Sequence, residues 1–497
     1  MPVLAGLALL VSVGQMLAQT TRQVKAKPPP SRAADAGDLE ALAKFHARLV
    51  QLETDKTGKF GRLNVLQIGD SHTAADHFTG RLRNLLQARF GNGGRGFLPP
   101  GAPHAWYKPY QVSVTQSAGW KTLSSNKTTP DAAQFGLSGY LAEANAAGET
   151  ITIDVKAGVD TLAVGYRWRP DGGKFEIVAD GTPMGAIETR FAGDGPKEVW
   201  QSISGLGGRG ADHPWRLEIR TLGDGPVDIA DFSLWRTKGI RFSNLGFIGA
   251  QVSIMARWHW PAVREQLAAL DPALIILAFG TNEGHAPVGN IEARYARQLE
   301  ERLIALKAAA PNASIVVVGT PDANRYPKFC LPPPAQVLQP DVPASGGPGA
   351  GAAHAPAEAA PATPPPPDLT PISKSRVAKP APPPPPEPPA DAVCRPLDLN
   401  ERATYEQLLA DKDRRLCRWH TLPAIPVVRA IQRDVAARQG ALFFDWFALF
   451  ESECGADRWF RQGLAHKDRV HFKQAGYWLA ADKLHARLMA GYPPPKR

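Results

Sequence analysis

The sequence predicts an α/β fold, in which one domain with a parallel, doubly wound sheet is interrupted by two insertions. Three observations predict it. Short apolar runs alternate with helical stretches toward both ends of the chain, the pattern of strands joined by crossover helices. From about Phe97 to Trp235 the texture changes to short alternating runs separated by Gly, Asp and Pro. Finally, 21 of the 47 prolines fall between positions 331 and 390, which marks a low-complexity tract rather than a general bias. At 497 residues, 43% of them hydrophobic, the chain exceeds one ordinary domain and is apolar enough to build real cores, which excludes a wholly disordered protein.

The N-terminal run Val3 to Ala18 is the one long apolar stretch. It reads as a secretory segment with a small-residue cleavage site near Ala18. No Lys or Arg precedes it, so an uncleaved membrane anchor is the other reading. Residues 22–37 are basic and Pro-rich, a tether. Asp38 to Asp55 has helical spacing, with Leu39, Leu42, Phe45, Leu49 and Leu52 on one side. Leu63 to Ile68 is a buried strand, and Phe78 to Phe90 a helix stopped by the glycines from Gly91. The alternating runs Thr150–Val155, Leu162–Trp168, Lys174–Val178, Trp215–Arg220 and Val227–Trp235 predict a β-sandwich. From Arg241 strands and helices alternate again. Ala273–Phe279, Ser314–Val318 and Ala441–Asp445 are strands; Ile291–Ala310, Pro423–Arg438 and Lys473–Met489 are helices.

The resulting organisation is an export segment or anchor (1–21), a tether (22–37), the α/β domain in three parts (38–98, 239–330 and 394–492), an inserted β-sandwich (99–238), a Pro-rich insertion without assigned fold (331–393) and a tail (493–497).

Lys+Arg exceed Asp+Glu by 57 to 47, a net +10 that favours acidic partners and names none. Nucleic-acid binding would rest on that charge alone and is not assigned. No Cys-x-x-Cys or His-Glu-x-x-His is present and the histidines do not cluster, so no metal or other cofactor is assigned. An even count of four cysteines in an exported chain suggests two disulfides. Cys330 and Cys394 bracket the Pro-rich tract, and Cys417 and Cys454 follow it; those two pairings are expected, with four buried thiols as the alternative.

Three motifs carry chemistry. Gly69-Asp70-Ser71-His72 sits where a buried strand ends and a helix begins, which suits a nucleophile with its own N–H as an oxyanion donor, although such a turn also serves as a plain helix cap. Gly280-Thr281-Asn282-Glu283 again follows a strand, and its Asn can donate to a developing oxyanion or simply close a turn. Asp468-Arg469-Val470-His471 precedes the last helix. A His three residues after an Asp can give Nδ1–H to that carboxylate while Nε2 faces a serine.

Together with a glycine block at Asn244-Leu-Gly-Phe-Ile-Gly249, these motifs resemble the four signature blocks of the SGNH (GDSL-type) hydrolases. The resemblance implies a flavodoxin-like three-layer α/β/α fold and ester hydrolysis. It maps the catalytic serine to Ser71 and the acid–base pair to Asp468 and His471. The oxyanion donors map to the Ser71 and Gly249 N–H groups and the Asn282 side chain, with Gly246 as the alternative glycine. The runs Ile68–Asp76 and Gly93–Phe97, and the segment from Cys417 through Trp446 to Gly455, further resemble bacterial peptidoglycan O-acetylesterases. Those enzymes carry an inserted carbohydrate-module-like β-domain and act without a cofactor. The Pro-rich tract departs from that pattern. The resemblance thus implies an exported, periplasmic or envelope enzyme acting on an acetylated polysaccharide, peptidoglycan first. A deacetylase of another glycan such as xylan, an acetyltransferase using the same acetyl-serine, and a non-catalytic glycan binder are the other readings.

Two Gly-x-Gly-x-x-Gly matches, at Gly91 and Gly205, lack the strand-before, helix-after context of a dinucleotide site and read as turns. His72, His77 and His466 read as structural or solvent-facing. Trp106, Tyr107, Tyr110 and Trp120 could stack on sugar or pack a core.

Overall fold

The computed structural model describes residues 36–494, except 58–59, 105–106, 129–134, 157–158, 194–196, 205, 207–212, 333–385 and 390. The export segment, nearly all of the tether, most of the Pro-rich insertion, Trp106, the Gly205 match apart from Leu206, and the last three residues lie outside the described residues.

Five strands form one parallel sheet: β1 (Arg62–Gly69), β2 (Gly239–Gly246), β3 (Pro272–Ala278), β4 (Ser314–Val318) and β5 (Leu442–Phe444). Their order is β2-β1-β3-β4-β5. This is the flavodoxin-like doubly wound order, whose switch point lies between β1 and β3. β3 and β4 are near-continuous apolar runs because both faces are covered. Alternate side chains go to opposite layers. Leu63, Val65, Leu274, Ile276, Val316 and Val318 enter one core, while Leu66, Ile68, Ile275, Leu277, Ile315 and Val317 enter the other.

Six longer helices make the outer layers: α1 (Ala36–Thr54), α2 (His77–Phe90), α3 (Trp260–Leu270), α4 (Val288–Ala309), α5 (Ala424–Arg438) and α6 (Gln474–Leu488). α1, α2 and α6 cover the first face and α3, α4 and α5 the second. Each presents an apolar stripe at helical spacing, such as Phe78, Leu82 and Leu86 on α2. None of the helices among the described residues is long and apolar enough to cross a membrane.

Between α2 and β2 the chain builds two antiparallel sheets. One runs in the order Lys197–Ser204, Thr161–Trp168, Val227–Trp235, Tyr140–Ala144, Lys121–Ser124, with Gly96–Leu98 added against Phe232–Leu234. The other runs Val112–Gln116, Thr150–Val155, Trp215–Thr221, Lys174–Ala179, Thr182–Glu188. Ile151, Ile153, Leu217 and Ile219 meet Leu162, Val164, Ile229 and Phe232 in one core between them. The first of these strands, Gly96–Leu98, starts ahead of the boundary expected at 99, because its edge pairs with the inserted unit and not with the parallel sheet.

All four cysteines are bonded, but in pairs other than those expected: Cys330 to Cys417 and Cys394 to Cys454. The chain leaving the Pro-rich tract runs beside Trp419, forming a bridge at Cys394 and an Arg395 N–H to Trp419 O hydrogen bond of 3.0 Å. The Cys394 N–H also points to the Asp457 carboxylate. This register carries Cys394 to Cys454 and leaves Cys417, two residues before Trp419, to Cys330. Pairing cysteines by order along the chain cannot register that alignment. The Cys394–Cys454 bond closes a loop of 60 residues. Replacing both cysteines with serine is expected to cost about 2–4 kcal/mol of unfolding free energy, read by urea denaturation. A change below about 1 kcal/mol would show that the native contacts alone hold this register.

Candidate active site

Ser71 opens a short helix, Ser71–Ala74, just past β1. Asp70 caps it: its Oδ1 accepts the His72 N–H at 3.0 Å. Burial pushes the Asp70 carboxyl up to about 7, against the His72 N–H and the nearby His471 charge. The turn is held from behind by a buried polar knot. Asn244 Nδ2 donates to Thr73 O (2.9 Å) and Asp76 Oδ1 (2.8 Å). Asp76 takes both ends of the Arg83 guanidinium, at 3.2 and 3.0 Å, with Arg95 at 3.4 Å. Burial opposes the Asp76 charge, yet the two arginines hold its carboxyl below the ordinary range. β2 approaches this turn so closely that a Cβ at Gly246 would stand 2.1 Å from the Ala74 nitrogen. Gly246 is therefore a packing glycine.

His471 and Asp468 lie on the loop before α6. The loop is pinned by its backbone and by Arg469. The His466 N–H donates to His471 O (2.8 Å), and the Asn324 N–H donates to Arg469 O (3.0 Å). The Arg469 guanidinium bonds Asp457 and stacks over Trp419 and Phe460. Asp468 Oδ1 accepts the Val470 and His471 N–H groups, and Oδ2 lies 2.8 Å from His471 Nδ1. His471 Nε2 lies 2.8 Å from Ser71 Oγ. A carboxylate cannot donate, so Nδ1 carries the hydrogen and Nε2 offers its lone pair to the serine hydroxyl.

The electrostatics follow from this geometry. Burial works to raise the Asp468 carboxyl, but the His471 imidazole and two backbone N–H groups hold it at about 2. Burial works to lower His471, but its bond to Asp468 and the charges of Asp468 and Asp70 carry it above the usual imidazole value. The neighbouring His72 is the reverse case. It is buried, bonds Tyr477 through Nδ1 at 2.9 Å and stacks on Phe472, and burial keeps it neutral, well below the ordinary imidazole range. His77 bonds Tyr110 at 2.7 Å, and His466 is exposed.

Gly249 and Asn282 lie three residues past β2 and four past β3, and they share an open cleft of about 380 Å³ with Asn126, Gln251, Arg257 and His285. Asn282 Nδ2 donates one hydrogen to Ala250 O at 2.8 Å, which locks the two loops together and leaves its second N–H. Gly249 has φ +72°, a conformation that favours glycine. No hydrogen bond among the described residues uses the Ser71 or Gly249 N–H. Glu283 Oε1 accepts the Val252 N–H at 2.7 Å, tying the cleft wall to the β3 loop; burial pushes its carboxyl up to about 7. Of the aromatic residues that open the inserted unit, Trp120 and Tyr107 pack its core, and Tyr110 bonds His77 and Gln474.

Ser71, His471 and Asp468 thus form one hydrogen-bonded relay at the switch point of the sheet. The supporting residues Asp76, Arg83, Arg95, Asn244, Glu283 and Arg469 were not identified as such from sequence. Arg469 occupies the second position of the Asp-x-x-His motif, but nothing in a local pattern marks its contacts.

A solved structure of a peptidoglycan O-acetylesterase matches this chain with a TM-score of 0.57 and 21% identity, over 89% of this chain and 94% of that one. The match shows that the chain shares the fold of that structure. Two further matches are far looser. A family two carbohydrate esterase from Clostridium thermocellum has 11% identity over 36% of this chain and 73% of that one, with a TM-score of 0.17. A carbohydrate-binding module of a Cellvibrio mixtus lichenase has 11% identity over 29% and 97%, with a TM-score of 0.19. No family model matches the chain, and no curated protein matches it.

Proposed function

We propose that this protein is an exported serine esterase that removes O-acetyl groups from a cell-envelope polysaccharide, peptidoglycan first. The observation that carries the reading is the Ser71–His471–Asp468 relay, with hydrogen bonds of 2.8 Å at each step. The match to a peptidoglycan O-acetylesterase structure supports the substrate class. Two disulfides suit an oxidising compartment and so support export. The two-sheet insertion is read as a carbohydrate-module-like domain.

His471 Nε2 takes the proton from Ser71 Oγ as that oxygen bonds the acetyl carbonyl carbon. The carbonyl oxygen becomes an oxyanion, held by the Ser71 and Gly249 N–H groups and the remaining Asn282 N–H. Collapse breaks the bond to the sugar oxygen, which receives the proton from His471. Water then attacks the acetyl-serine, again deprotonated by His471, and releases acetate with Ser71 restored. No step calls for a metal or organic cofactor.

The test is acetate release from O-acetylated peptidoglycan beside acetylated xylan, with wild type and Ser71→Ala. Preferential release from peptidoglycan, absent in the mutant, is expected. Release from xylan alone would move the enzyme to another glycan, and acetylated oligosaccharide formed from an acetyl donor would make it a transferase. Within this mechanism Asn282→Ala is expected to lower kcat by about 10²–10³-fold with little change in KM. An equal loss in KM alone would assign Asn282 to ground-state binding.

A further inference from the structure

A second cavity lies at the opposite end of the parallel sheet. β1 starts at Arg62 and ends at Gly69, next to Ser71. Eight residues at about 3.3 Å each place its start roughly 25 Å from the nucleophile. There, between the first residues of β1 and β2 and the inserted unit, is an open cavity of about 230 Å³.

Its wall carries two guanidiniums. Arg62 and Arg241 both stand over the ring of Trp235, at 5.3 and 5.1 Å from the centroid. Neither forms an ion pair among the described residues. Arg241 is 6% exposed, and among the described residues its side chain makes one hydrogen bond, from Nε to Asn64 Oδ1 at 2.6 Å, which leaves both terminal nitrogens without an acceptor there. The Ser233 hydroxyl lines the same cavity, is buried and has no hydrogen-bond partner among the described residues. Asp160, whose N–H donates to Trp235 O at 3.0 Å, accepts the Thr237 N–H and does not line the cavity.

Burying a guanidinium without a carboxylate is costly, and putting a second one over the same ring adds repulsion. The strain appears in Arg241, which burial and the Arg62 charge push down to about 9. Elsewhere in this protein buried arginines meet carboxylates, as Arg83 and Arg95 meet Asp76. A guanidinium edge is matched to a two-oxygen anion. Ser233 adds a neutral donor on the same wall.

We propose that this cavity is an oxyanion-binding site that takes a carboxylate or phosphate group of a ligand between Arg62, Arg241 and Ser233. It is separate from the ester-cleaving site and does not depend on that reading. An anion there neutralises both guanidiniums and satisfies the Ser233 hydroxyl, while Trp235 offers an apolar face to whatever bears the charge.

The experiment is isothermal titration and thermal unfolding of the full chain at fixed ionic strength with three probes: inorganic phosphate, D-glucuronate and its uncharged methyl ester. An anion is expected to bind and raise Tm, and the ester to do neither. Affinity is expected to fall about tenfold or more in Arg241→Gln and in Arg62→Gln, and by a smaller factor in Ser233→Ala. Arg62 is only partly buried, so Arg62→Gln reads the site even where Arg241→Gln fails to fold. Binding of phosphate alone, or of glucuronate alone, identifies the source of the oxyanion and upholds the site. Equal binding of the methyl ester, unchanged affinity in Arg62→Gln, or no binding of either anion overturns it.

Discussion

The Ser71→Ala protein is expected to hydrolyse 4-nitrophenyl acetate about 10⁴-fold or more slowly than wild type. The size follows from the proposed role: in that mechanism no acetyl-enzyme forms without Oγ, and only oriented water and the proposed oxyanion donors remain. The fold should be untouched, since the Ser71 side chain makes one hydrogen bond, to His471. Unfolding free energy should therefore change by no more than about 0.5 kcal/mol. A fluorophosphonate probe should label wild type and not the mutant. Retention of a substantial part of the rate in a folded, unlabelled protein would remove Ser71 from the chemistry.

The second large effect is expected at Asp468. Asp468→Asn should lower kcat/KM by about 10³–10⁴-fold, because an amide can offer its N–H to Nδ1 and present the wrong tautomer to Ser71. The pH profile separates this from a general loss of structure. In the proposed mechanism His471 is the base and acts only when neutral; its pKa lies above the ordinary value, so the rising limb of kcat/KM in wild type should lie above pH ~6.5. In Asp468→Asn the upward influences of the carboxylate are gone and burial remains, so the limb should move to lower pH as the plateau falls. A plateau loss with an unmoved limb would mean that Asp468 does not set the protonation of His471. The same pair links to stability. His471 gains affinity for a proton on folding, so its contribution is complete below pH ~6.5 and is lost as pH rises through the raised value.

Much of this site lies in short-range pattern. Asp468 and His471 are three residues apart, and one loop brings them together. Gly69-Asp70-Ser71 ends an apolar strand, so its place at the carboxyl edge of the sheet follows from strand and turn alone. β3 and β4 are plain apolar runs, legible because burial on both faces leaves no alternation to interpret. α1, α2, α4, α5 and α6 start and stop within a few residues of the stretches with helical spacing.

Where polar side chains are buried, the pattern misleads. β2 contains Arg241, Ser243 and Asn244, and reads poorly as a buried strand. It is one because Asn64 accepts from Arg241 and because Thr73 and Asp76 accept from Asn244. α3 has a tryptophan and a proline in its first turn, and is not among the helices expected from the sequence. The disulfide pairs were assigned from chain order and came out exchanged, because a β-bridge between Cys394 and Trp419 sets their neighbours.

By itself the sequence determined the periodicities, the strand-end motifs and the local Asp–His pair, since each depends on residues within one turn or one strand. Only the tertiary structure decided that Ser71 meets His471 across 400 residues, that Gly249 and not Gly246 lines the cleft, and that Arg62 and Arg241 share one ring without an acid. Those outcomes depend on which distant groups desolvate together, and a buried polar group is stable only beside a partner that the local chain does not specify.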